Sequence, residues 1–223
     1  MKAVLPALAR PLIESGLPAG IEPHWFTSRE EAIAMVADAD IAWVDMMRPD
    51  WTGETAAAGV RLQWLSTIYA GIDDFDTGLL KQRGTILTNG VGINAIAVAE
   101  YAVMGVLAAA KRFDQVVRTA DRREWPGDAP GKVELFETRA LIIGYGTIGR
   151  MIGDRLAAFG VDVTGVTRSG RDGTLTPGQW PARIGEFDWI ILAAPSTSGT
   201  HALIGAGELG AMKPGAWLIN LAP

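Results

Sequence analysis

The sequence predicts an α/β protein of two units, each with a parallel sheet, on three observations. Short apolar strands alternate with helical stretches along the chain, the pattern of parallel α/β architecture rather than of a sandwich or a bundle. Glycines at 144, 146 and 149 stand between an apolar strand and a helix. A helical stretch, 94–113, is apolar on nearly every face and divides a first unit, 1–92, from a second, 93–223. At 223 residues and 48% hydrophobic content, the chain can bury roughly 70% of its unfolded surface.

The first strand is "KAVLPAL". It leads to the helix "TSREEAIAMVADA", with Thr27 or Ser28 as the cap and acids in the first turn, where they face the positive end of the helix. "IAWVD", "LQWLSTI" and "TILTN" are further strands, and the unit closes at "TNGVGIN", where Gly90 and Gly92 punctuate the chain. "NAIAVAEYAVMGVLAAAKRF" follows with Asn94 as its cap, and its all-round apolar character predicts burial between two bodies. "DRREWPGDAPGKVELFET" is polar and rich in Pro and Gly, hence an exposed connection. The second unit then reads strand 139–143, helix 147–159, strand 161–166, strand 189–195, helix 205–212 and strand 216–222.

Composition narrows the function classes. A net charge of −5 offers no basic footprint for nucleic acid or an anionic membrane, which leaves a small molecule as the expected partner. The longest apolar run, 101–110, is ten residues, well short of the ~18 that a membrane helix needs. With no cysteine and two histidines, neither a disulfide framework nor a thiolate metal site is expected. The opening "MKAVLPALAR" reads as a buried strand rather than a secretory leader, because Pro6 interrupts a short apolar core; the expected compartment is the cytoplasm.

The glycine turn carries the chemistry. Gly144 permits a tight turn, Gly146 lets a diphosphate approach the backbone, and Gly149 lets the helix pack closely, while the amides of Thr147 and Ile148 open the helix toward the anion. A dinucleotide is the expected cofactor. Its type depends on the end of the next strand, Thr167-Arg168-Ser169, where Arg168 lies nineteen residues after Gly149. A carboxylate there would accept hydrogen bonds from the ribose hydroxyls of NAD, whereas a guanidinium beside hydroxyls attracts a 2′-phosphate. The expectation is therefore NADP, with NAD as the alternative. Arg168 also reads as a solvated loop cation, and Asp172 stands on a loop from which it could turn toward the ribose.

Four stretches together, 62–76, 88–112, the glycine fingerprint and 192–222, resemble the D-isomer-specific 2-hydroxyacid dehydrogenase family. The resemblance implies two flavodoxin- or Rossmann-like units, a nicotinamide cofactor, a homodimer, and reduction of a 2-keto acid to a D-2-hydroxy acid; with the reading of Arg168, the expected reaction is hydride transfer between NADP(H) and a small 2-keto acid such as glyoxylate, hydroxypyruvate or a phenyl- or alkyl-substituted relative. It also implies that the amides of Ala70 and Gly71 bind the substrate carboxylate, with a plain turn residue as the lesser reading of Gly71. Asn94 and Val98 match residues near the cofactor, with Asn94 equally readable as a cap only. Pro195, Ser196 and Asn220 match strand ends that border it.

The likeness stops at "INLAP". Family members carry an Arg where Pro223 stands, and a Glu and a His beyond it, the His being the acid/base. His24 and His201 are not proposed in its place, and Glu100 is expected to have a structural partner in its apolar helix. No catalytic residue is assigned. The second unit is accordingly expected to be a dinucleotide-binding fold lacking its last strands, with apolar surface exposed on strand 216–222 and with weak nucleotide binding and little turnover. The competing reading is a non-catalytic dinucleotide-binding or corepressor-like interaction protein on the same scaffold.

Overall fold

Parallel strands buried in the middle of their sheets organise both halves of the chain. A computed structural model describes residues 1–45, 49–195, 197 and 199–221. The chain divides into two units, Met1–Ile93 and Asn94–Pro223.

The first unit runs β1 (Lys2–Pro6), α1 (Arg10–Ile13), β2 (Glu22–Phe26), α2 (Arg29–Val36), β3 (Ile41–Trp43), α3 (Pro49–Ala58), β4 (Trp64–Ser66), α4 (Thr77–Arg83) and β5 (Ile86–Thr88). Its five strands are parallel in the order β2-β1-β3-β4-β5, the order of flavodoxin-like sheets. Val4, Val36, Val44, Leu65 and Leu80 fill the core. Ser28 is the cap of α2, accepting from the Glu31 amide at 3.2 Å, while the Glu31 carboxylate reaches back to the amide and hydroxyl of Thr27 at 2.7 and 2.8 Å. β2 is absent from the sequence reading because Pro23 interrupts it. At the sheet edge a residue without an N–H is tolerated.

In the second unit come α5 (Ala95–Ala110), α6 (Phe113–Asp121), β6 (Arg139–Ile143), α7 (Thr147–Ala157), β7 (Asp162–Val166), β8 (Trp189–Leu192), α8 (Ala206–Ala211) and β9 (Trp217–Asn220). The sheet is parallel in the order β7-β6-β8-β9. β6 and β8 are buried on both faces. On one side Ala140, Ile142 and Ile191 pack with α5 and α7 residues such as Val106 and Leu156; on the other Leu141, Ile143 and Ile190 pack with Trp180, Ile184 and Phe187.

Four expectations change here. The helix read as 94–113 ends at Ala110, because Arg112 takes a left-handed conformation (φ 46°), and the chain restarts as α6. Burial of α5 within its unit is one-sided: Ala95, Ala99, Ala102, Val103, Val106 and Ala110 form the buried stripe, whereas Tyr101 is 67% and Met104 54% exposed. Glu100 lies on the exposed side, so water solvates its carboxylate and no protein partner is required. On edge strand β9, Trp217 is exposed, but Leu218 and Ile219 are half-covered by the layers on either face.

One ion-pair cluster is expected to make the second unit sensitive to acid. Glu186 accepts two hydrogen bonds from Arg183 at 2.8 Å and one from Arg139 Nη1 at 3.0 Å. The Arg183 hydrogen bonds lead in lowering its pKa from 4.5 to about 2; burial opposes them, and Arg139 adds to the lowering. A carboxyl whose folded pKa is depressed contributes fully above its unfolded pKa, and loses that contribution as pH falls through the folded one. The melting temperature is expected to drop more steeply between pH 4.5 and 2 in the wild type than in Glu186→Gln. Parallel curves in a calorimetric pH series would refute it.

Candidate functional site

The connection β6-α7-β7 places β7 on one side of β6, and the chain then crosses to β8 on the other side. Such a reversal opens a crevice at the carboxyl ends of the two central strands. Register puts Ile143, Leu192 and Asn220 abreast, so the glycine turn after β6, Pro195 after β8 and Asn220 at the end of β9 all stand at that edge.

The turn is shaped for close approach. Gly144 has φ +98°, and a Cβ there would overlap the backbone of Ala193 and Ala194. At Gly149 a Cβ would overlap the Gly144 carbonyl and lie 3.2 Å from Ile142 Cγ2, so α7 sits directly on the strand. Gly146 differs, since a Cβ there would meet nothing within 4 Å. Among the described residues, the amides of Gly146, Thr147 and Ile148 donate to no acceptor, and no side chain caps α7. Unpaired amides at a helix N-terminus beside open space fit a diphosphate.

Tyr145, which motif reading passes over, fixes the turn. Its ring fills the room left by two glycines, because a Cβ on Gly153 of α7 or Gly165 of β7 would run into it. Its amide and that of Gly144 donate to Val166 O at 2.9 and 3.2 Å, tying the turn to the end of β7. Thr167 follows at once. Its hydroxyl contacts Thr174 Oγ1 at 2.7 Å and accepts from the Gly170 amide at 3.0 Å, so Thr167 shapes the loop. Arg168 and Ser169 are exposed, and neither side chain has a hydrogen-bond or ion-pair partner among the described residues. Asp172 faces Arg150 at 3.8 Å, and Arg150 lies over the Tyr145 ring at 5.6 Å.

The remaining expected positions lie at the start of α5, at this edge and in the first unit. Asn94 occupies the cap position of α5, yet its side chain makes no capping hydrogen bond; the carbonyl accepts from the Val98 amide at 3.0 Å. Val98 is half-buried. Pro195 and Asn220 line a groove of about 280 Å³ with Leu192, Ala194 and His201, whose ring is exposed. Ser196 and Pro223 lie outside the described residues. His24 is 3.2 Å from Glu22 in the first unit. Ala70 and Gly71 are exposed on the loop after β4, and neither amide donates a hydrogen bond among the described residues. No described helix is long and apolar enough to cross a membrane.

The family model for the NAD binding domain of D-isomer specific 2-hydroxyacid dehydrogenases matches residues 103–223, more than half of the chain. The chain belongs to the D-isomer specific 2-hydroxyacid dehydrogenase family. Among curated relatives of this dehydrogenase family, the chain is 30% identical over 171 residues to glyoxylate/hydroxypyruvate reductase B of Pectobacterium atrosepticum, an alignment covering 72% of this chain and 53% of the reductase. It is 26% identical over 207 residues to D-3-phosphoglycerate dehydrogenase of Methanocaldococcus jannaschii, covering 87% of this chain and 38% of that one. The chain thus spans about half or less of the length of these relatives. A solved D-isomer specific 2-hydroxyacid dehydrogenase family protein from Aeromonas salmonicida superposes with a TM-score of 0.84 at 25% identity, over 99% of this chain and 72% of that one. Two parallel α/β units and a nicotinamide-dinucleotide domain are thereby shared with the dehydrogenases.

Proposed function

We propose that this chain is the binding apparatus of an NADP-linked D-2-hydroxyacid dehydrogenase acting on a small 2-keto acid, in the glyoxylate, hydroxypyruvate or phenyl- and alkyl-substituted range. The observation that carries the proposal is the row of amides at Gly146, Thr147 and Ile148, unpaired among the described residues and beside open space, with the cation Arg168, likewise without a partner among the described residues, at the end of the next strand. The amides hold the diphosphate. Arg168 and Ser169 hold the 2′-phosphate, which a carboxylate would repel. When bound, the nicotinamide supplies the hydride. Asn94, Val98, Pro195 and Asn220 border the cofactor, and the amides of Ala70 and Gly71 hold the substrate carboxylate. The reaction also needs a proton donor, and no residue between 1 and 223 is proposed for that role.

The test is titration of the 223-residue chain with NADPH and NADH, followed by nicotinamide fluorescence. The expected result is saturable binding with NADPH at least tenfold tighter. Absence of binding to both would refute the reading.

A cytoplasmic homodimer completes the proposal. It is supported by the exposed apolar side of α5 and its surroundings, where Met104, Leu107, Phe113 and Phe159 line a groove of about 650 Å³ and Tyr101 stands exposed. Sedimentation equilibrium should return twice the chain mass, and Met104→Glu should shift it toward the monomer. A wild-type protein monomeric at every concentration would refute the assembly.

A further inference from the structure

The loop after β4 is gripped from two sides, and the grip decides where its amides point. Asp45, two residues beyond β3, accepts from Thr67 Oγ1 and from the Ile68 amide, each at 2.6 Å, and from Trp43 Nε1. Thr67 Oγ1 accepts in turn from the Tyr69 amide at 3.1 Å. A carboxylate accepts through both oxygens and donates nothing, which suits three converging donors. On the other side, beyond β5, the Gly90 amide donates to Tyr69 O at 2.9 Å and Asn89 Nδ2 donates to Ala70 O at 2.8 Å.

In a trans peptide the N–H points opposite to the C=O. With the carbonyls of Tyr69 and Ala70 drawn toward Asn89 and Gly90, the N–H groups of Ala70 and Gly71 are turned away from them. Neither of these two amides donates a hydrogen bond among the described residues. Adjacent unpaired amides form a concavity for an anion.

We propose that Asn89 and Asp45 are positioning residues for carboxylate recognition: they touch no substrate, and they hold the Thr67–Gly71 backbone so that the Ala70 and Gly71 amides converge on one carboxylate. This rests on the reading of those amides as the substrate-carboxylate site. Asn89 is exposed, so its replacement leaves the core untouched. Asp45 is half-buried and serves three donors, so its replacement also loosens the loop.

The experiment is a titration of the ¹⁵N-labelled 223-residue chain with oxamate, an inert isostere of a three-carbon 2-keto acid, with and without NADPH. In the wild type the Ala70 and Gly71 amide signals should move on saturation. In Asn89→Leu the oxamate dissociation constant should rise about tenfold, with NADPH affinity and melting temperature unchanged; a merely structural residue would move the melting temperature instead. Asp45→Asn should weaken oxamate binding with NADPH affinity retained. Wild-type oxamate affinity in folded Asn89→Leu and Asp45→Asn overturns the positioning role alone. Oxamate that leaves the wild-type Ala70 and Gly71 signals unmoved overturns the carboxylate reading itself, and the positioning role with it.

Discussion

Gly146→Val is expected to fold and to lose dinucleotide binding. The residue caps α7 in an extended conformation, φ −87° and ψ −150°, so its φ is not in the left-handed region that would bar a side chain. Its Cβ would meet no protein atom, so the substitution fills only the space assigned to the diphosphate. Charge-assisted hydrogen bonds are worth about 1.5–3 kcal/mol each, so losing two lowers affinity more than about 100-fold. Calorimetric titration with NADPH and a thermal melt separate the two effects. Gly149→Ala is the contrasting case. Its Cβ would strike the Gly144 carbonyl, a backbone atom that cannot step aside, and overpacking of this kind costs about 1–3 kcal/mol of stability. A valine at 146 that binds NADPH normally would refute the placement of the diphosphate.

Arg168→Asp is expected to invert cofactor preference. The wild-type guanidinium has no acidic partner among the described residues, so its charge is available to a 2′-phosphate. A carboxylate in its place repels that phosphate and accepts from ribose hydroxyls. NADPH affinity should fall about 10- to 100-fold, the equivalent of one or two charge-assisted hydrogen bonds, and NADH should become the tighter ligand. The loop itself is expected to persist, because its internal hydrogen bonds belong to Thr167, Gly170 and Thr174. Equal affinities for the two nucleotides before and after the substitution would refute the role of Arg168.

Local patterns made some elements legible and hid others. Strand 139–143 was readable to the residue because an uninterrupted apolar run signals burial on both faces, and the glycine spacing marked where it turns into a helix. β2 was hidden by Pro23 and by polar residues that only an edge position tolerates. The break between α5 and α6 was hidden because Arg112 carries no sequence signal for a left-handed conformation. The apolar composition of α5 suggested burial all round, but alanines set its contact stripe, and the larger Tyr101 and Met104 face outward.

The sequence alone determined the α/β class, the strand that feeds the glycine turn, and the cation at 168, since each depends on residues adjacent in the chain. Only the tertiary structure decided that β6 is flanked by β7 and β8, that the Tyr145 ring wedges the turn between Gly153 and Gly165, and that Asp45 and Asn89 close on one loop. The physical reason is range. Backbone preferences and burial periodicity act over a few residues, whereas Asp45 and Thr67, 22 positions apart, and Asn89 and Ala70, 19 apart, meet only because strand pairing brings their loops together.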